Sequence, residues 1–364
     1  LGGWEKYSEN TYIGTVRGLF NWVALDGSDF LGVGTESKYY IEQGEAFNDI
    51  TPIRKTTTNG VTFSATNGSS TITVTDSGHG AAVGDFVTFA DAVSLGGLIT
   101  AAVLNQEYEI ISVPTATTYT ISAKDTSGNA VIANASDSGN GGAAVDGVYQ
   151  INAGLNTGVG GNGWGAGTWG RGTWGSGTTI NVTTSLRIWS QDNFGEDLLI
   201  NPRDSSIYHW DKTNGVTTRA VEIQSIAGAN ECPIIAKQIM VSDVDRHVIA
   251  FGANPLGETT QDPLLIRFSD QESFLDWNPT STNTAGDLRI GSGSKFVKAI
   301  ETKREIIIIT DSSVHSMQFI GAPFTFGIQP IASNITIMGP NSAIAVEDSV
   351  YWMGRQNFYV YDGK

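Results

Sequence analysis

The sequence predicts an all-β protein, with propeller-like repeats of antiparallel strands and an inserted small β domain. Three observations carry this. Gly accounts for 44 of the 364 residues against 10 Pro, and Thr, Ser and Asn are common, a composition suited to short strands joined by tight turns. No run of apolar residues at helical spacing extends beyond about three turns. Five segments share one plan: an apolar strand, a polar turn, a very apolar strand, a short turn, and a strand rich in aromatics.

In chain order the first segment is 20-FNWVALDGSDFLGVGTESKYYIEQG-44 and the second is 186-LRIWSQDNFGEDLLINPRDSSIYHWDKTNG-215. The third is 237-KQIMVSDVDRHVIAFG-252, with its aromatic strand delayed to 264-LLIRFSD-270. The fourth is 297-VKAIETKREIIIITDSSVHSMQFIG-321 and the fifth 343-AIAVEDSVYWMGRQNFYVYDGK-364. The unbroken apolar run Ile306 to Ile309 predicts a strand buried on both faces. In the fifth segment Tyr359 and Tyr361 alternate with Phe358 and Val360, as in a strand with two unlike faces. Units of this size are what propeller blades look like in sequence, with a stack of β meanders as the rival arrangement.

Between the first and second segments the composition changes to Thr, Ser, Ala and Gly, with few Lys or Arg. The strands TITVT and DFVTFA, and two more within 107-EYEIISVPTATTYTISA-123, predict a small β domain placed in a propeller loop, where insertions are tolerated. The expected organisation is a first propeller-like unit at 1–56, the inserted domain at 57–152, a Gly-Trp linker at 153–180 and the remaining units at 181–364. The chain starts at Leu1 and stops at Lys364 directly after a strand, so both ends are expected to be truncated.

The net charge is −16, from 37 acidic and 21 basic residues. Gripping a phosphate backbone rests on Lys and Arg, so an acidic chain predicts no specific nucleic-acid binding. Simple solubility accounts for the charge equally well. Cys232 is the single cysteine, which excludes an internal disulfide and a cysteine-based metal site. No stretch approaches the roughly 18 apolar residues of a membrane helix.

The chemistry-bearing residues do not assemble into a motif. His79, His209, His247 and His315 have no second ligand at zinc spacing, and read as packing or surface residues. Cys232 precedes a proline and reads as a buried, inert thiol. Gly158, Gly160 and Gly163 fit a dinucleotide-binding spacing, but in a glycine-saturated tract with no helix after it. Asp243 and Asp245 lack the spaced oxygens and the glycine of a calcium loop. Asp192, Glu196, Asp197, Asp204, Asp211, Asp270, Glu272 and Asp276 cluster in the turns of the second and third segments. Two of them could meet across a central channel as a glycosidase pair, though turn carboxylates are also the ordinary solvated face of such a fold. The expectation is therefore no enzyme, no cofactor and no metal.

One stretch stands apart, 161-GNGWGAGTWGRGTWGSG-177, where Trp164, Trp169 and Trp174 recur every five residues around Arg171. An odd spacing throws successive rings to opposite faces of an extended chain, so a flat stacking platform is not expected. A glycine-hinged segment can seat each ring in its own pocket, as interface anchors are seated. Trp164, Trp169, Trp174 and Arg171 are thus a candidate interface with a neighbouring subunit or with the inserted domain. Packing under that domain, and stacking of sugars, are the alternatives.

The stretches 186-LRIWSQDNFGEDLLINPRDSSIYHWD-211, 264-LLIRFSDQESFLDWNPT-280, 314-VHSMQFIGAPFTFGIQPI-331 and 338-MGPNSAIAVEDSVYWMGRQNFYVYDGK-364 resemble the tail hub or nozzle of short-tailed bacteriophages, the packaged-DNA stabilisation protein. The resemblance covers 186–364 and 1–56, and is weaker over the inserted domain. It implies a virion component assembled in the host bacterial cytoplasm. Copies would form a ring, commonly sixfold, below the portal and its adaptor, carrying fibre or spike proteins. Double-stranded DNA would pass through without specific binding, and the chain would not insert in a membrane. A carbohydrate-binding or carbohydrate-active propeller, an adhesin or a glycosidase, is the alternative function.

Overall fold

The structure is a computed structural model and describes residues 3, 5–136, 140–152, 154, 186–321 and 323–363. The chain divides into two compact units, one formed by Leu1–Ile50 with Ala153–Lys364 and the other by Thr51–Asn152.

The first unit is a series of antiparallel sheets of one design, here called blades 1 to 5. Blade 1 holds Val16–Val23, Asp29–Thr35, Tyr39–Gln43 and Ala46–Asp49. Blade 2 holds Trp189–Phe194, Asp197–Pro202, Tyr208–Trp210 and Val221–Glu222. Blade 3 holds Gln238–Val241, Val248–Phe251, Leu265–Phe268 and Gly286–Arg289. Blade 4 holds Phe296–Glu301, Ile306–Thr310, Ser313–Gly321 and Thr325–Ser333. Blade 5 holds Ala343–Val346, Ser349–Met353 and Phe358–Tyr361. In every blade the strands pair in sequence order. The five repeated segments of the sequence are thus the first three strands of the five blades. The fourth strands add AFND, VE, GDLR and TFGIQPIAS, mostly short or polar and without a period to betray them.

A hydroxyl turn recurs between second and third strands. In blade 1 the Lys38 N–H donates to Thr35 Oγ1 (2.9 Å), and the Thr35 hydroxyl donates to Lys38 O (3.0 Å). In blade 4 the Ser313 N–H donates to Thr310 Oγ1 (2.9 Å), and that hydroxyl reaches Ser313 O (3.1 Å). In blade 2 Asn201 takes the role, its amide donating to Ser205 O and Ser206 O. Each side chain satisfies backbone groups that the tight turn would leave buried and unpaired.

Blades stack through apolar faces. Trp22 meets Trp210 edge-on between blades 1 and 2, and Phe251 stacks on Phe296 between blades 3 and 4. Met240, Ile249, Ile266, Ile306, Ile308 and Met317 lie in the core between blades 3 and 4; Ile307, Ile309, Val350 and Trp352 lie in the one between blades 4 and 5. The strand Ile306–Thr310 feeds both cores and is buried at every position. Buried charge is paired: Lys38, 1% exposed, meets Asp49 at 2.7 Å, and Asp49 also holds Arg219 of the blade 2 region at 2.7 Å.

The second unit is a sandwich of two four-stranded sheets. Ser112–Thr115, Thr118–Ser122, Thr71–Thr75 and Thr62–Ala65 form one; Ile53–Thr57, Asp146–Gln150, Phe86–Ala90 and Glu107–Glu109 form the other. It encloses its own core, including Phe63, Ile72, Val74, Phe89, Tyr108 and Ile121. Inside it Tyr149 donates to Asp76 (2.6 Å), which also accepts from Thr57 (2.8 Å), and Tyr119 lies 2.9 Å from Tyr149 Oη. No helix among the described residues is long and apolar enough to cross a membrane.

Candidate functional site, a channel of two charges

The first strand of a blade is an edge strand, and its outer backbone groups need partners. Side chains of the neighbouring first strand supply them. The Ile239 N–H donates to Ser190 Oγ (3.0 Å) and the Val241 N–H to Asp192 Oδ2 (2.8 Å). Gln238 and Ala299 exchange a pair of bonds, the side-chain amide donating to Ala299 O (2.8 Å) and the Ala299 N–H to Gln238 Oε1 (3.0 Å). The first strands are thereby held side by side, and residues of all five line a central channel with a cavity of about 540 Å³.

Glycines set how closely blade 1 approaches. A Cβ at Gly34 would lie 2.5 Å from Trp189 Cδ1, and one at Gly18 would lie 3.1 Å from Gln191 Nε2. Without those side chains Trp189 fits beneath blade 1, donating its indole N–H to Thr35 O (2.6 Å).

The channel changes sign along its length. Lys237 and Lys298 lie at or near the starts of first strands, joined by Arg203, which follows the strand position Pro202 paired with Trp189. A smaller adjoining cavity of about 200 Å³ is lined by Arg203 and Lys237 again, with Lys295, Arg355 and Asp311. Asp192 and Glu301 lie further along the first strands of blades 2 and 4, beside Asp243. Burial pushes the Asp192 carboxyl up to about 6, against the pull of hydrogen bonds from the Val241 and Asn193 amides. Burial, then the charges of Asp243, Asp192 and Asp245, raises Glu301 to about 7, although it accepts the Asp243 N–H (3.1 Å). Burial also lowers Arg203 and Lys298, and Arg203 lowers Lys298 further. A pair of carboxyl groups that titrate close to neutrality can serve as a general acid or base.

The carboxylates singled out in the sequence part company here. Only Asp192 of the eight lines the channel. Glu196 accepts the Leu25 N–H (2.8 Å) and meets Lys212 (2.8 Å), which also holds Asp26, tying the turns of blades 1 and 2. Asp197 meets His209 Nε2 (3.0 Å), Asp204 meets Lys237 (2.6 Å), and Glu272 meets Arg246 (2.8 Å). Asp211 caps the turn at Thr213, Asp270 accepts from Thr284, and Asp276 accepts from Asn230 and Asn283. Glu301 escaped notice because it lies in the fourth segment, outside the acidic turns; its one signal is the register that aligns it with the end of the neighbouring first strand.

The remaining candidates are packed. His79 meets Tyr119 edge-on and accepts the Ala81 N–H (3.0 Å). His209 lies flat on Phe274. His247 is fully buried between Asp245 (2.8 Å) and Thr284 (2.9 Å), and resembles a catalytic triad. Thr284 already donates to Asp270 (2.7 Å) and accepts the Gln271 N–H (2.9 Å), so its hydroxyl is committed. His315 lies between Ser292 and Ser313. Cys232 donates to Leu275 O, and burial pushes its thiol up to about 11, away from the reactive thiolate. Among the described residues no cluster of His, Cys, Asp and Glu could hold a metal ion. Trp164, Trp169, Trp174 and Arg171, with Gly158, Gly160 and Gly163, lie outside the described residues.

No family model matches the chain, and no curated protein matches it. Among solved structures it is similar to a phage phi92 endosialidase, at 10% identity, over 91% of this chain and 51% of that one, with a TM-score of 0.28. The chain thus spans about half the length of that protein. The expectation of no enzyme is corrected by this finding, since the structure that the chain resembles is named an endosialidase. A likeness this loose carries no activity to this chain.

Proposed function

We propose that this chain is a subunit of a bacteriophage tail, in which copies build a ring, the hub or nozzle around the DNA exit channel that retains the packaged genome and carries fibres or spikes. The observation that supports it is the state of the two end blades. Blade 5 turns Ala343, Ala345, Val350, Trp352, Tyr359 and Tyr361 towards blade 4, and its other face shows Ile344, Val346, Tyr351, Met353, Phe358 and Val360 to solvent. Blade 1 covers part of its outer face with Tyr12, which packs on Tyr40 and Phe47, and leaves Leu19 and Val23 exposed. Contiguous apolar surface of this kind marks an interaction site. The two open faces stand at opposite ends of one stacking series, so one copy's blade 5 can meet another copy's blade 1 as unlike apolar faces. A contact between unlike faces closes into a ring where its rotation completes a full turn, and runs on as a filament where it does not. The net charge of −16 is in keeping with a conduit to which DNA does not adhere.

Mass photometry of the purified chain, alone and then with tails lacking it, tests this reading. A closed ring in either condition supports it. A monomer that stays a monomer in both removes it.

A second reading has its own observation. Asp192 and Glu301 line one channel, raised to about 6 and about 7, so near neutral pH the first is mostly ionised and the second partly protonated, as the base and acid of a glycan-cleaving propeller would be. Hydrolysis of bacterial surface polysaccharide by the purified chain, lost in Asp192→Asn and in Glu301→Gln, would favour it. No release of reducing sugar would remove it.

A further inference from the structure

The basic end of the channel is the wrong sign for the rest of the molecule. The chain carries −16 overall, yet Arg203, Lys237, Lys295, Lys298 and Arg355 gather around two adjoining cavities. Asp204 offsets Lys237 at 2.6 Å, and Asp311 lines the smaller cavity. The side chains of Arg203 and Lys298 make no hydrogen bond or ion pair among the described residues. Both are partly buried, and each disfavours the other's charge. Two cations held together and half withdrawn from water cost the fold free energy; the charge of Asp204 offsets this in part at Arg203, and Lys298 has no such offset. Arg203 and Lys237 line both cavities, so the cationic groups surround one connected space. Ile239, Val297 and Ile337 wall it with apolar surface, which strengthens any charge interaction made inside.

We infer that the basic end of the channel is a binding site for a small oxyanion, a phosphate-, sulfate- or carboxylate-bearing molecule, held by Arg203 and Lys298 with Lys237 in support. A guanidinium presents a planar fork to two oxygens, and an ammonium adds a point charge. A cavity of about 540 Å³ admits a small molecule. It does not admit a DNA duplex, whose major groove alone is about 12 Å wide. The inference does not depend on the chain being a tail subunit.

Thermal unfolding of the whole chain in inorganic phosphate, against sodium chloride at matched ionic strength, is the test, with sulfate and acetate as further arms. Phosphate or sulfate alone acting identifies a tetrahedral anion; acetate acting as well identifies a carboxylate. In excess ligand the midpoint is expected to rise by about 2 °C or more. The rise should vanish in Arg203→Gln and in Lys298→Met. Without anion, Lys298→Met should unfold at the wild-type temperature or above it, because an uncompensated cation has gone; a purely structural lysine would give the reverse. Calorimetric titration of the wild-type chain with phosphate gives the answer independently of either variant. No oxyanion effect beyond that of chloride, or an equal effect in wild type and both variants, overturns the inference.

Discussion

Blades 4 and 5 are neighbours built on the same opening plan, yet their second strands differ. Ile306–Thr310 is buried at every position, whereas Ser349–Met353 alternates, with Val350 and Trp352 inside and Tyr351 and Met353 outside. Blade 4 has blade 3 on one face and blade 5 on the other. Among the described residues blade 5 has a neighbour on one face only. The residues follow the neighbours: an unbroken isoleucine run where both faces are covered, and alternation where one is. The outward positions of blade 5 are nevertheless apolar, which is the composition of a face awaiting a partner.

The largest expected effect tests the covered side. Ile308→Ala, at a fully buried site in the core between blades 3 and 4, should cost about 2–5 kcal/mol in urea unfolding. A cost below about 1 kcal/mol would mean that this core is not closed. Next comes the approach of blade 1. Gly34→Ala sets a methyl against Trp189 and should cost about 1–3 kcal/mol, with a red shift in tryptophan emission if the ring is pushed towards water.

Glu301 gives a smaller, pH-dependent effect. Its folded pKa lies above its unfolded value, so it favours the native state while protonated, and that contribution is lost as pH rises from about 4 towards 7. Glu301→Gln should therefore raise stability at pH 8 by about 1–2 kcal/mol, after allowance for partial solvent screening, and change little at pH 4. An equal change at both values would deny the shift. The smallest effect is at the open face. Val360→Thr, at a site 58% exposed, should alter the stability of the isolated chain by less than about 0.5 kcal/mol.

Much of the fold was legible, because a strand's burial is written in its period. The run Ile306 to Ile309 announced a two-sided strand and the Tyr359/Tyr361 alternation a one-sided one. The fourth strands were not legible, since AFND and VE are too short and polar to show a period. The site was legible only in part. Asp192 stood in the sequence among seven other turn carboxylates, and what separates it from them is the register of neighbouring first strands, which no single segment encodes. Lys298 and Glu301 stand on one strand of blade 4 and Arg203 follows a strand of blade 2, so only the stacking of blades brings them to one channel.

The central claim is that the open face of blade 5 is covered by another copy. Sedimentation velocity of the wild-type chain beside a Tyr351→Asp, Phe358→Asp variant tests it most directly. The account predicts a ring for the wild type and a folded monomer for the variant, since a charge cannot be buried there without a partner. Identical assembly of the two, both alone and with tails lacking the protein, would contradict it.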